Sequence, residues 1–175
     1  MKHKVYITLI EDDAEFLPEY RAEISEFADV YQNSEPRRPT DEEKAAAVLE
    51  TNIVMVGRSG GGLTREIIDG AKDLRAVGVV GGAVRMAQPD YLVEKGITLF
   101  NAGWAMADSV AEFTVAMMLA GLRDIPHMIS VMKSKGWGSA RSPLDLGGRR
   151  IGLVGFGGIG RRVSALLAPF RCDVT

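Results

Sequence analysis

Apolar residues along this chain fall into short unbroken blocks separated by segments with helical spacing. Val5–Ile10, Ile53–Val56, Leu74–Val80 and Ile97–Phe100 are such blocks, and Val30-Tyr31 reads as a shorter one. Runs apolar at every position, rather than at alternate ones, predict strands buried on both faces. Between them, Ala14–Phe27 carries Phe16, Tyr20, Ile24 and Phe27 on one helical face, with Pro18 acceptable only near the start. Gln32–Pro39 is a polar, proline-bearing loop. Thr40 and Glu43 have the spacing of a capping box, which predicts a helix to about Glu50. Leu63–Ala71, with Thr64 near its start, and Pro89–Lys95 read as two further helices. Strand–helix alternation of this kind predicts a doubly wound, flavodoxin-like α/β domain with a parallel sheet, over about residues 1–101.

A second unit is expected over 102–175. Asp108–Lys133 reads as one long helix, apolar nearly all round in its first half and therefore expected to be buried. Lys135–Arg149 is a glycine-rich polar connector. Ile151–Val154 then predicts a strand, Gly155-Phe156-Gly157-Gly158-Ile159-Gly160 fits G-x-G-x-x-G, and Arg161–Leu167 predicts a helix. In that context Gly155 permits a tight turn, Gly157 lets backbone approach a pyrophosphate, and Gly160 lets helix pack on strand. Phosphate would sit on N–H groups of the helix start. A dinucleotide site also needs an acid at the carboxyl end of the next strand, about 20 residues on. Asp173 lies at the start of Cys172–Thr175 instead, so the choice between NAD and NADP is not readable from these residues.

The sequence has 175 residues, 46% hydrophobic and 25% charged, as in an ordinary globular protein. A net charge of -2 argues against nucleic-acid backbone binding. The single cysteine, Cys172, excludes an internal disulfide and fits a reducing, cytoplasmic location. Glu11-Asp12-Asp13 cuts the first apolar run too short for a signal peptide, and Val110–Leu122 is too short to span a bilayer. No membrane association is expected.

Several stretches, in order, resemble the D-isomer-specific 2-hydroxyacid dehydrogenases, the phosphoglycerate dehydrogenase-like family. They are Val56-Gly57-Arg58-Ser59 with Leu63-Thr64, Leu74–Ala83, Gly96–Ala102, Ser109–Thr114 with Leu119, Leu122 and Arg123, Gly136-Trp137, and Gly155–Gly160. The resemblance covers the chain from Val5 onward. It implies a substrate domain followed by the opening of a Rossmann NAD(P)-binding domain, and hydride transfer between NAD or NADP and a small 2-keto or 2-hydroxy acid such as glyoxylate or hydroxypyruvate. It places the substrate carboxylate on Gly82 and Ala83, in a loop where backbone N–H groups can form a small nest; a plain β–α turn is the alternative. Arg58, beside Ser59, is a candidate anchor for an acidic group, or equally an exposed surface arginine. The three glycines after Ser59 suggest a loop free to close on a ligand. Gly155, Phe156, Gly157, Gly158, Ile159 and Gly160 would hold the cofactor.

The chain departs from the family at Met86-Ala87-Gln88, where an Asn-x-Asp is usual, and at Gly103 and Met106, where proline and asparagine are common. Asn101, Ala102 and Gly103 fall where the family passes the nicotinamide. The family's catalytic arginine, acid and histidine have no counterparts here: His3 and His127 are the two histidines, and neither stands at a matching position. These residues therefore resemble the front part of an enzyme, expected to show no turnover alone. A non-catalytic NAD-sensing or corepressor-like protein stays open as the alternative. A receiver-like domain fails because Val56-Gly57-Arg58 offers no phosphoacceptor aspartate. The apolar Asp108–Lys133 helix suggests a homodimer interface. Glu112 and Arg123 read as ion-pair or cap residues, Cys172 as core, and Trp104 and Trp137 as packing residues.

Overall fold

The computed structural model describes residues 2–11, 13, 16–134, 136–138, 141 and 143–175. They form two compact units, Met1–Gly103 and Trp104–Thr175. The first unit runs β1 (His3–Ile10), α1 (Pro18–Ser25), β2 (Ala28–Asn33), α2 (Asp41–Val48), β3 (Ile53–Val56), α3 (Arg65–Gly70), β4 (Ala76–Val79), a 3-10 turn at Val84–Ala87, α4 (Pro89–Glu94) and β5 (Thr98–Asn101). Its five strands are parallel, in the order β2-β1-β3-β4-β5. This is the doubly wound, flavodoxin-like arrangement that the apolar runs predict.

Alternation along β1 divides the core into two layers. Val5, Ile7 and Leu9 join Phe16 and Ala28 on one face of the sheet. Tyr6 points to the other, with Val48, Val54, Val56, Ile67, Ile68 and Leu92. Burial raises the pKa of the Tyr6 phenol, and the nearby Glu43 carboxylate adds to the effect. The α2 capping box forms as expected: Thr40 Oγ1 accepts from the Glu43 N–H at 3.2 Å, and Glu43 Oε2 accepts from the Thr40 N–H at 2.8 Å.

Among the boundaries that differ from the sequence reading, three have a plain physical reason. The helix expected from Ala14 starts at Pro18, which occupies its first turn, where no N–H is needed; positions 14 and 15 lie outside the described residues. β2 runs six residues rather than two, because β1 offers it a partner from His3 to Ile10. The pairing slips between Ile7 and Ile10, and Gln32 Nε2 fills the gap by donating to the Leu9 and Ile10 carbonyls at 3.3 and 3.4 Å. β4 begins at Ala76 instead of Leu74, with the Arg75 and Ala76 N–H groups both turned to the Asn52 carbonyl.

The second unit contains α5 (Ala107–Leu122), α6 (Ile125–Lys133), β6 (Arg150–Ile151), α7 (Gly158–Leu167), a 3-10 turn at Ala168–Phe170 and β7 (Asp173–Val174). β6 and β7 are parallel, and their ladder continues through Leu153 N–H to the Thr175 carbonyl at 2.7 Å. The single helix expected over Asp108–Lys133 is two helices meeting at a 64° bend. Pro126 causes the break: its ring denies a hydrogen bond to the Leu122 carbonyl and crowds it. That carbonyl accepts from the Leu144 N–H instead, at 2.8 Å. Asp124 takes the left-handed conformation at the corner, with φ 55°.

The burial expected for α5 is also corrected. It buries Ala107, Ala111 and Val115, the last two in a core shared with Leu146, Val163 and Leu167. Phe113 and Met117 remain 65% and 51% exposed. Trp104 and Trp137, expected to pack, are 82% and 95% exposed. Cys172 does line the unit's core, donating its thiol to the Leu146 carbonyl at 3.3 Å. Arg123 pairs with Asp145 at 2.8 Å, while exposed Glu112 has no ion-pair partner among the described residues. Among the described residues no single helix is long and apolar enough to cross a membrane.

Candidate functional site

The chain leaves β1 toward one side of the first sheet and β3 toward the other. Their carboxyl ends therefore flank the crevice where open α/β sheets bind ligands. Ser59, in the loop after β3, bridges that crevice: its hydroxyl donates to the Asp13 carboxylate and accepts from the Ile10 N–H at 3.3 Å. Asp12, the other acid suggested after β1, lies outside the described residues.

The Gly57–Gly62 loop is held on several sides and is not the free flap its glycines suggest. Arg38 donates to the Arg58 carbonyl at 2.7 Å and to the Ser59 carbonyl at 3.1 Å. Buried Lys44 donates to the Gly62 carbonyl at 2.9 Å and pairs with Asp41 at 2.6 Å. Gly60 is seated so closely on β1 that a Cβ would lie 2.2 Å from the Thr8 carbonyl oxygen. Arg37 anchors the segment carrying Arg38 through two contacts with Glu43, at 2.9 and 2.6 Å. That guanidinium, with the Thr40 N–H, holds the Glu43 pKa down to about 2. The Arg58 side chain is exposed beyond this pinned backbone.

Beside it, β4 ends in the second suggested loop. Gly81 has φ 117°, and its carbonyl accepts from the Ala102 N–H at 3.1 Å. The Asn101 amide donates to the Gly82 carbonyl at 3.3 Å and accepts from the Gly103 N–H at 3.1 Å, joining the ends of β4 and β5. Gly82 and Ala83 are exposed, and their N–H groups have no partner among the described residues. Two adjacent N–H groups facing solvent can receive a carboxylate.

In the second unit, the Gly155–Gly160 turn leads into α7. Gly155 has φ 95°, a conformation that glycine adopts without penalty. Nothing lies within 4 Å of a Cβ placed on Gly157, so the backbone there is open to a ligand. A Cβ on Gly160 would stand 2.4 Å from the Gly155 carbonyl oxygen, so helix and turn pack at glycine distance. Arg161 Nε closes the turn by donating to the Phe156 carbonyl at 3.2 Å. The residues thus fit a pyrophosphate: one glycine turns, one clears space, one permits close packing, and the N–H groups of Gly158, Ile159 and Gly160 have no partner among the described residues. Asp173 is exposed at the start of β7, paired with Arg150, away from the carboxyl end of its strand.

Residues 115–175 match the family model described as "D-isomer specific 2-hydroxyacid dehydrogenase, NAD binding domain". The chain is 35% identical over 136 residues to D-3-phosphoglycerate dehydrogenase of Methanocaldococcus jannaschii, covering 77% of this chain and 26% of that protein. The chain belongs to the D-isomer-specific 2-hydroxyacid dehydrogenase family. It is 33% identical over 122 residues to hydroxypyruvate reductase of Thermotoga maritima, covering 69% of this chain and 40% of the relative. A glyoxylate reductase structure from Paecilomyes thermophila shares its fold with a TM-score of 0.81 at 20% identity, over 99% of this chain and 54% of that one. The chain thus spans well under half the length of these two curated dehydrogenase relatives.

Within this 2-hydroxyacid dehydrogenase framework, two features went unread in the sequence. One is the Arg38 clamp, whose partners lie 20 and 21 residues away. The other is the Asp13–Ser59 pair, made by residues 46 apart that only the strand order β1-β3 brings together. Neither has a local spacing signal.

Proposed function

We propose that this chain supplies the substrate domain and the opening of the cofactor domain of an NAD(P)-dependent 2-hydroxyacid dehydrogenase. Residues 1–101 would form the first part and 102–175 the second. The observation that carries the reading is the Gly155–Gly160 turn, where open space at Gly157 adjoins the N–H groups of α7. NAD or NADP would supply the hydride acceptor or donor. Gly155, Phe156, Gly157, Gly158, Ile159 and Gly160 would hold its pyrophosphate through backbone N–H groups.

The substrate is a small 2-keto or 2-hydroxy acid of the glyoxylate or hydroxypyruvate kind. Its carboxylate would rest on the Gly82 and Ala83 N–H groups. Arg58 would attract the acid electrostatically from the neighbouring pinned loop, with Ser59 holding that loop to Asp13. Proton transfer at the carbonyl oxygen needs a positioned general acid. No histidine of the 175 residues stands where the family resemblance requires one, so this chain should not turn over. Asp173 stands at the wrong end of its strand to hold the ribose, so cofactor binding should be weak.

Exposed Phe113 and Met117 on α5, with Ile125, Ile129 and Met132 on α6, favour a homodimer through these helices. Sedimentation as a monomer at micromolar concentration would remove the dimer. A cytoplasmic setting agrees with the unpaired Cys172.

The test is an amide NMR titration of the chain with NADH and, separately, with glyoxylate. Shifts should fall on Gly155–Gly160 for NADH and on Gly82 and Ala83 for glyoxylate. Shifts elsewhere only, or none at millimolar ligand, would sink the corresponding half of the reading.

A further inference from the structure

Between α3 and the start of α4, the first unit has a cleft of about 360 Å³ lined by Arg65, Arg85, Gln88, Asp90 and Tyr91, among others. We propose that this cleft binds a small phosphorylated anion, its phosphoryl group gripped jointly by Arg65 and Arg85. The site is separate from the Gly82–Ala83 nest and from the Gly155–Gly160 turn, and the inference does not depend on hydride transfer.

The charges in the cleft are the first argument. The exposed Arg85 side chain has no hydrogen-bond or ion-pair partner among the described residues. Arg65 lies with its guanidinium carbon 5.0 Å from the centre of the Tyr91 ring. The nearby carboxylate that could have neutralised it, Asp69, is occupied: Lys95 pairs with it at 2.6 Å, and the Tyr91 hydroxyl donates to it at 2.6 Å. These bonds lower the Asp69 pKa and raise that of Lys95 to about 12, so Asp69 and Lys95 neutralise each other across the physiological range. Among the lining residues two guanidiniums then stand against one carboxylate, Asp90, so the lining itself keeps a positive excess, while Glu66 and Asp69 act on Arg65 from outside it. Guanidinium forks from two separate elements suit the several oxygens of a phosphoryl group better than the two of a carboxylate.

The wall of the cleft is the second argument. Gln88 has φ 55° and ψ 59°, a left-handed conformation that a residue with a side chain adopts at a cost. It is held there by its N–H on the Arg85 carbonyl at 3.3 Å and by the Leu92 N–H on its own carbonyl at 3.0 Å. The Tyr91 ring is fixed by its hydroxyl and lies close to two cations, Arg65 and Lys95 at 5.0 and 5.1 Å. The cleft is built before a ligand arrives, and its volume is that of a small-molecule site.

Its position suggests a regulatory use. Arg85 sits in the 3-10 turn that directly follows Ala83. In the same turn, the Met86 carbonyl accepts from the Leu63 N–H at 3.1 Å, just after the Gly57–Gly62 loop. An anion drawing Arg85 toward Arg65 therefore acts on a turn joined to both substrate-facing loops.

The test is an amide NMR titration of the 175-residue chain with inorganic phosphate, then with β-glycerophosphate, at ionic strength held constant by chloride. Saturable shifts are expected at Arg65 and Arg85, reaching Ala83 and Leu63. Arg85→Gln and Arg65→Gln should each weaken the apparent affinity about tenfold, the loss of a charge-assisted hydrogen bond. Arg85→Lys should recover part of it. Shifts that persist unchanged in Arg85→Gln, that appear equally with chloride, or that acetate reproduces at the same concentration would overturn the proposal. Ala83 is shared with the glyoxylate titration, so Arg65 and Arg85 are the deciding amides. Glyoxylate should leave these two unshifted and NADH should act on Gly155–Gly160, so failure here leaves the dehydrogenase reading standing, and the reverse holds.

Discussion

Gly160 packs under the carbonyl of Gly155 so closely that a methyl group on its Cα would come within 2.4 Å of that oxygen. Gly157, three residues earlier, faces open space. Two glycines of one motif thus serve different ends, and substitution should separate them. Gly160→Ala should destabilise the second unit by about 1–3 kcal/mol, the usual cost of overpacking. Gly157→Val should leave the melting transition nearly in place but abolish NADH-induced shifts at the turn. Thermal unfolding and ligand titration of both variants check this; equal stability loss in both would show that the turn is purely architectural.

At the corner between α5 and α6, Asp124 receives three hydrogen bonds from Arg141, from its N–H at 3.0 Å, Nε at 3.2 Å and Nη2 at 3.1 Å. The Arg141 side chain first, then its N–H, hold the Asp124 pKa down to about 2. A carboxylate depressed from about 3.9 stabilises the fold fully above that value and loses its contribution as pH falls toward 2. A carboxyl NMR titration should find its midpoint near the bottom of this window. In Arg141→Gln the midpoint should rise, and a midpoint unchanged by that substitution would refute the assignment.

Thr40→Ala removes the side-chain half of the α2 capping box and leaves the Glu43 N–H without its acceptor. The loss should be about 1 kcal/mol, read as a lower urea midpoint with unchanged slope. Thr40→Ser should be close to neutral.

Arg38→Ala should release the Arg58 and Ser59 carbonyls and let the Gly57–Gly62 loop fluctuate. Amide exchange at Gly60 and Gly61 should speed up while the sheet stays protected. Arg58→Ala should weaken glyoxylate-induced shifts without that change in exchange. Identical exchange behaviour in the two variants would count against a clamp by Arg38.

Most of the sheet was legible because the middles of β1, β3 and β4 are largely apolar runs, and Thr40 with Glu43 announced their helix. Ends were less so. The length of β2 depends on β1 lying beside it, and no property of Ala28 or Asn33 alone marks it as paired. The apolar stretch alone predicts one helix over Asp108–Lys133, and Pro126 is the residue at which it breaks. Trp104 and Trp137 show the limit of reading size as packing: an indole joins a core only where neighbouring elements enclose it, and here 82% and 95% of each remains exposed. The glycine turn was readable because its demands are local. The Asp13–Ser59 and Arg38 contacts were not, since each joins segments that meet only through strand order.

The pinning of Gly57–Gly62 also bears on how quickly and at what entropy an acid could be captured there. Folding has already restricted this loop through Arg38, Lys44 and the seat of Gly60 on β1. Little backbone freedom remains to be lost when a ligand docks. Capture beside Arg58 should therefore proceed by direct encounter with a ready surface, with the ligand's own immobilisation as the main entropic loss. An association rate set by charge and diffusion, falling as solvent viscosity and ionic strength rise, is the kinetic mark of such a surface.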